Sequence, residues 1–247
     1  MDWWAPQQSI AVLPFVNVSD DASNEYFSDG ISEELLNLLT KIPELRVISR
    51  SSAFSYKGKD IDIPTVAAQL NVAHVLEGSV RKAGNQVRIN AQLIEARTDT
   101  HLWSESYERT LDDIFAIQDE IAAAVVANLK IAIMGEVPTA QRADPEAFRL
   151  YMLANHFAAP GHDAEGLRKA EALHKQALAI DPDFEKPWRK LSVIYGALGS
   201  LGRITPDEVY ALQAEVLQKA IEINPASARI YTSLGALEIR SQYNFQK

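Results

Sequence analysis

The stretch Ala177-Leu178-Ala179-Ile180-Asp181-Pro182 returns as Ala220-Ile221-Glu222-Ile223-Asn224-Pro225 in the second half of the chain. Each copy reads as a helix end: small and aliphatic residues at helical spacing, then Asp or Asn, then a proline that cannot continue the helix. The C-terminal region is therefore predicted to be a helical repeat array. Arrays of this kind present surfaces to other proteins and carry no chemistry of their own.

On either side of these phrases, residues 145–158 and 166–180 are predicted to pair as helices, with Pro182 after them. Residues 186–198 and 206–223 form the next pair, with Pro225 after them. The two prolines stand 43 residues apart, longer than the roughly 34 of a plain two-helix repeat, and the surplus is assigned to a loop insertion over Gly199–Pro206. Residues 226–247 begin a third unit and stop without its second helix, as expected of a piece of something longer.

The first part has the other rhythm. Ser9 to Phe15 is a short apolar run bounded by turn formers, as in a buried strand. From Asp29, Ile31, Leu35, Leu38 and Leu39 repeat at helical spacing, and Pro43 closes that helix. Leu45–Ser49 reads as a second strand and Pro64 opens a short helix, Thr65–Leu70. His74–Arg81 and Gln86–Ile94 form a hairpin about Gly84-Asn85, with Val87, Ile89, Ala91 and Leu93 on one face. A further strand, His101–Tyr107, precedes a long helix in which Ile114, Ile117, Ile121, Val125 and Leu129 share a face, running to about Met134 and closed by Gly135. The predicted organisation is a flexible terminus over 1–8, a mixed-sheet α/β domain over 9–135, a linker over 136–144 and an all-α array over 145–247.

Composition narrows the function. Of 247 residues 47% are hydrophobic, ample for a core, and there is no cysteine, which removes disulfides, thiolate metal sites and a cysteine nucleophile. The net charge of −9 belongs entirely to the first part: residues 1–140 hold 11 Lys and Arg against 20 Asp and Glu, and residues 141–247 hold 13 of each. An acidic front and a balanced rear argue against nucleic acid as a direct ligand. No apolar run is long enough to span a bilayer, and Met1-Asp2-Trp3-Trp4 lacks the basic region of a secretory signal. The tandem tryptophans read as an ordinary terminus or as the interfacial edge of a preceding membrane helix.

Catalytic patterns are missing. None of His74, His101, His156, His162 and His174 pairs with another at the spacing that places two metal ligands on one helix face, and no phosphate loop or serine triad is legible. His74 and Glu77, three residues apart on one strand, project to opposite faces. No cofactor is expected. Two binding candidates remain. The segment after the second strand offers Arg50, Ser51, Ser52, Lys57 and Lys59 to a small anion. On the array, Lys186, Arg189 and Arg229 occupy first-helix positions from which cations could grip a carboxylate of a peptide.

Trp188, Leu191, Ser192, Tyr195, Ala220 and Pro225 in the second unit, Ala170, Ala177 and Pro182 in the first, and Tyr231, Leu234 and Gly235 in the third resemble the tetratricopeptide pattern. It departs at Ser192, where the family has Gly, and at His174, where it has Phe. The front domain resembles the TolB-like N-terminal domain through Ile10–Phe15, Tyr26–Leu35, Val75–Val80 and Phe115–Ile121. These resemblances imply a bacterial signalling protein in which the present residues form a non-catalytic sensory or assembly segment with a protein or peptide partner, and with self-association open. The upstream output domain in such proteins is often a class III nucleotide cyclase or a winged-helix DNA-binding domain, frequently with a membrane helix after it. Topology in such architectures implies a periplasmic location, the cytoplasm being the alternative.

Overall fold

The computed structural model describes residues 5–131, 137–159 and 163–244, residues 229 and 240–244 by backbone only. The chain divides into two units, Met1–Gln141 and Arg142–Lys247.

The first unit is a mixed α/β layer. Strand β1 (Ser9–Val12) lies between β3 (Arg46–Val47) and β4 (His74–Ala83), parallel to both, and the antiparallel strands β5 (Gln86–Glu95) and β6 (Thr100–Thr110) complete the order β3-β1-β4-β5-β6. The strand predicted over 9–15 is broken. A two-residue strand β2 (Val16–Asn17) resumes the pairing with β4, but Val12 stands opposite Leu76 and Val16 opposite Ser79, so three residues face two. This bulge turns Phe15 inward, where it is buried, and leaves Val16 exposed.

Helices α1 (Glu25–Leu39) and α4 (Ile114–Asn128) bury Phe27, Ile31, Leu35, Ile117, Ile121 and Val125, while the apolar row Val87, Ile89, Ala91 and Leu93 is buried on β5. Helix α3 (Ile63–Leu70) packs elsewhere, in a small cluster with Ala11, Val72, Val75 and Ala96. It begins where Asp62 accepts the Thr65 N–H and Pro64 fills a first-turn position, and ends where Asn71 adopts φ 54°.

Several predicted boundaries move. Helix α1 starts at Glu25, one turn before Asp29, because the Asp21 side chain organises a short 3₁₀ turn ahead of it. The segment after β3 is not an open loop: the Ser49 side chain accepts the Ser52 N–H and starts a five-residue helix, α2 (Arg50–Phe54). Helix α4 ends at Asn128, with Lys130 at φ 50°, and does not continue toward Met134; that residue, Gly135 and Glu136 lie outside the described residues. The predicted linker is fastened to the first unit, where Lys41 donates to the Thr139 carbonyl and the Asp119 carboxylate accepts the Ala140 N–H.

Among its described residues the second unit holds five helices, α5 (Pro145–Phe157), α6 (Ala164–Ile180), α7 (Glu185–Ser200), α8 (Pro206–Ile223) and α9 (Ala228–Asn244), each packed against the next in chain order. The two copies of the repeated phrase end their helices alike. Asp181 adopts φ −132° and ψ 89° and donates to the Ala177 carbonyl, and Asn224 adopts φ −135° and ψ 80° and donates to the Ala220 carbonyl. Ala177 and Ala220 are both fully buried. Helix α7 runs to Ser200, so the connection to α8 is only Leu201–Thr205, shorter than the predicted insertion. The extra length is helix, made possible where Gly199 lets Val209 of α8 come so close that a Cβ there would lie 2.3 Å from its Cγ2.

Candidate functional site

Helix α1 carries acids at positions 25, 29 and 33, one per turn along one face. They meet the cations of the segment beyond β3. Lys57 Nζ lies 2.6 Å from Glu25 Oε1 and 2.6 Å from Asp29 Oδ1, and Arg50 Nε lies 2.9 Å from Glu33 Oε2. Burial pushes the Lys57 ammonium down, but its bonds to Asp29 and Glu25 outweigh that and hold it above its ordinary value. Arg50 also covers the Phe54 ring at 4.1 Å, Lys59 stands 5.7 Å from the Tyr56 ring centre, and Tyr56 Oη donates to Gln69 on α3. Ser51 and Ser52 are exposed on α2. Of the five residues offered to an anion, the two best cations are thus engaged by carboxylates of the same unit. The acid spacing on α1 is the signal that could have found this.

The histidines are dispersed. Burial lowers the His74 pKa, against its contact with the Ser9 carbonyl oxygen 3.2 Å from Nδ1. Burial raises Glu77. His174, on α6, is fully buried beside Tyr151, with ring centres 5.8 Å apart, and among the described residues neither of its nitrogens has a hydrogen-bond partner. Burial, with the nearby Lys190 charge second, pushes its pKa down to about 3. His162 lies outside the described residues. No group of three or more His, Asp or Glu among the described residues is arranged to hold a metal ion.

In the helical unit, Lys186 and Arg189 both lie on α7. Lys186 Nζ stands 6.0 Å from the Tyr151 ring centre on α5, and Arg189 Nε lies 3.3 Å from Glu185 Oε1, a carboxylate whose side chain is only 7% exposed. The structure does not bring Arg229 into this description, since its side chain lies outside the described residues. A feature that the sequence did not announce is a cavity of about 360 Å³. Leu178 and Ala179 of α6, Trp188 and Leu191 of α7 and Leu212 and Val216 of α8 form its apolar wall, and Lys175, Tyr195 and Glu215 its polar atoms. Trp188 is fixed at this wall by donating Nε1–H to the Pro182 carbonyl at 2.9 Å, so the repeated proline phrase also positions the cavity. Lys175 is held by Glu171 at 2.8 Å.

Residues 6–124, the sheet unit, match the family model described as the second domain of HilA/YgeH-like transcriptional regulators. A protein of Rhizobium meliloti (strain 1021) described as "Putative adenylate cyclase 3" is 43% identical over 190 residues, which is 75% of this chain and 32% of that protein. The chain therefore spans about a third of the length of that curated relative. Among solved structures, the lipoprotein GNA1162 of Neisseria meningitidis aligns over 51% of this chain and 98% of its own, at 19% identity and TM-score 0.37. TolB of Acinetobacter baumannii aligns over 51% of this chain and 28% of its own, at 15% identity and TM-score 0.37. No helix among the described residues is long and apolar enough to cross a membrane.

Proposed function

We propose that this chain is a non-catalytic interaction segment of a bacterial signalling protein, a TolB-like domain followed by tetratricopeptide helices, that binds a protein partner through its helical unit. The observation that carries this reading is the apolar cavity between α6, α7 and α8, walled by Trp188, Leu178 and Leu191 and edged by one cation and one carboxylate. A cavity of that size takes an apolar side chain of a partner, and Lys186, with Arg229 as the sequence expects it, supplies positive charge for a carboxylate on the same partner, Arg189 already compensating Glu185. The matching helix ends at Asp181 and Asn224 support the repeat reading of this unit.

A second reading concerns the parent. The 43% identity to a protein described as an adenylate cyclase, of which this chain would form a third, favours a regulatory region of a class III cyclase. We place that region on the periplasmic side of a membrane-anchored parent. A small ligand at the segment around Arg50 and Lys57 is the weaker alternative, because the carboxylates of α1 already pair with both cations.

A photo-crosslinking residue introduced at Ala179, which is exposed at the cavity wall, tests the interaction directly in cells producing the full chain. One defined protein crosslinked from Ala179 and not from Glu222, on the neighbouring helix outside the cavity, is the expected result. Equal labelling from both positions, or none, would overturn it.

A further inference from the structure

Strand β6 ends the sheet, and its direction of hydrogen bonding can be read from its own turn. Leu111 donates its N–H to the Asn85 carbonyl, so the odd-numbered residues from Trp103 to Arg109 point their backbone groups toward β5. Ser104, Ser106, Glu108 and Thr110 therefore direct N–H and C=O outward, where no strand among the described residues meets them. Ser104, Ser106 and Glu108 are exposed. Natural edge strands are usually blunted by being short, by charged side chains and lysine above all, by proline, or by a bulge, and this strand carries Glu105, Glu108 and Arg109. Residues 100–110 contain no lysine and no proline, and the one irregularity, where β5 residues Leu93 and Ile94 meet β6, sits at Leu102 and leaves 103–110 regular.

We propose that this edge pairs with the same edge of a second copy of the chain, joining two sheets antiparallel into one. The occupant follows from the charges along the strand. In an antiparallel self-pairing the outward residues must face one another, which restricts the registers to a few. One of these sets Glu105 opposite Glu105 of the second copy, a like-charge contact. Another carries Glu108 toward Thr100 and runs into the irregularity at Leu102. The register centred on Tyr107 sets Ser106 opposite Glu108 and Ser104 opposite Thr110 in the bonded rows. It also sets Glu105 opposite Arg109 of the second copy, twice by symmetry. Both charges are available on the exposed strand: Glu105 accepts only a 3.2 Å bond from Tyr107 Oη, and Arg109 reaches Glu120 at no closer than 3.4 Å.

Sedimentation equilibrium of the full chain tests this. The wild type is expected to be a dimer. Glu105→Arg and Arg109→Glu should each weaken it by about tenfold or more, and the double variant, which restores opposite charges in that register, should recover it. Ser106→Pro removes an outward N–H that β5 does not use and should give a folded monomer by circular dichroism. A monomeric wild type, or a dimer indifferent to all of these changes, would overturn the proposal; if Ser106→Pro fails to fold, the charge exchange decides alone.

Discussion

The ring of Phe15 occupies the space that a side chain on Gly78 would need: a Cβ built there would lie 2.7 Å from Phe15 Cε2 and 2.1 Å from the Asn90 carbonyl oxygen. The bulge between β1 and β2 brings Phe15 to this place, and its N–H is held by Ser32 Oγ at 2.8 Å on α1. Ser32 in turn donates to the Ser28 carbonyl. Phe15 thus ties the interrupted strand and the neighbouring strand together through its ring and the first helix through its N–H.

Gly78→Ala should destabilise the sheet unit by about 1–3 kcal/mol, since a carbonyl oxygen of a paired strand cannot move aside as a side-chain end can. Phe15→Ala should cost about 3–5 kcal/mol through the cavity it leaves. Urea unfolding followed by circular dichroism measures both. Wild-type midpoints for either variant would show that the contact is dispensable.

His174 is expected to make the helical unit sensitive to acid. Its folded pKa is depressed to about 3, while the unfolded chain titrates near the ordinary 6.5. Between those values the unfolded state binds the extra proton, so stability falls as pH falls below 6.5. The loss attributable to this residue should be about 2 kcal/mol at pH 5. His174→Phe should remove that part of the slope between pH 7 and pH 5 and leave stability at pH 7 equal or higher. Denaturant midpoints over that range read it out, and an unchanged slope in the variant would assign the acid sensitivity elsewhere.

Arg189 compensates Glu185, a carboxylate that the fold buries. Arg189→Ala should therefore destabilise the helical unit by about 1–3 kcal/mol, with most of that recovered in the Glu185→Ala/Arg189→Ala double variant. Additive losses in this cycle would mean that the two side chains do not interact.

The carboxylates of α1 already form ion pairs with Arg50 and Lys57. Inorganic phosphate at millimolar concentration should accordingly leave the melting temperature where an equal ionic strength of chloride leaves it. A phosphate-specific rise that vanishes in Arg50→Ala/Lys57→Ala would restore the anion site.

Periodicity made the element types legible. Val87, Ile89, Ala91 and Leu93 announced a half-buried strand, Gly84-Asn85 its turn, and Ala177 and Ala220 the buried ends of two helices, because side-chain period is a local property. What failed to show was non-local. The bulge at Phe15 depends on Gly78, more than sixty residues away, and α2 depends on a Ser49 cap that composition alone reads as loop chemistry. At the candidate site, the cations were visible as residue types but their counter-ions were not: Glu33, Asp29 and Glu25 reach Arg50 and Lys57 only through the packing of α1 beside that segment. The cavity was invisible for the same reason, since three helices each give it three residues at intervals that also describe an ordinary core.

The most direct test of a partner-binding helical unit is quantitative affinity capture from bacterial lysate with the full chain as bait, beside Lys186→Ala/Arg229→Ala and Ala179→Trp, the latter chosen to fill the cavity. One protein should be enriched by the wild type and reduced about tenfold or more by each variant, with all three baits equally folded. Equal recovery by all three, or no enriched protein at all, would contradict it.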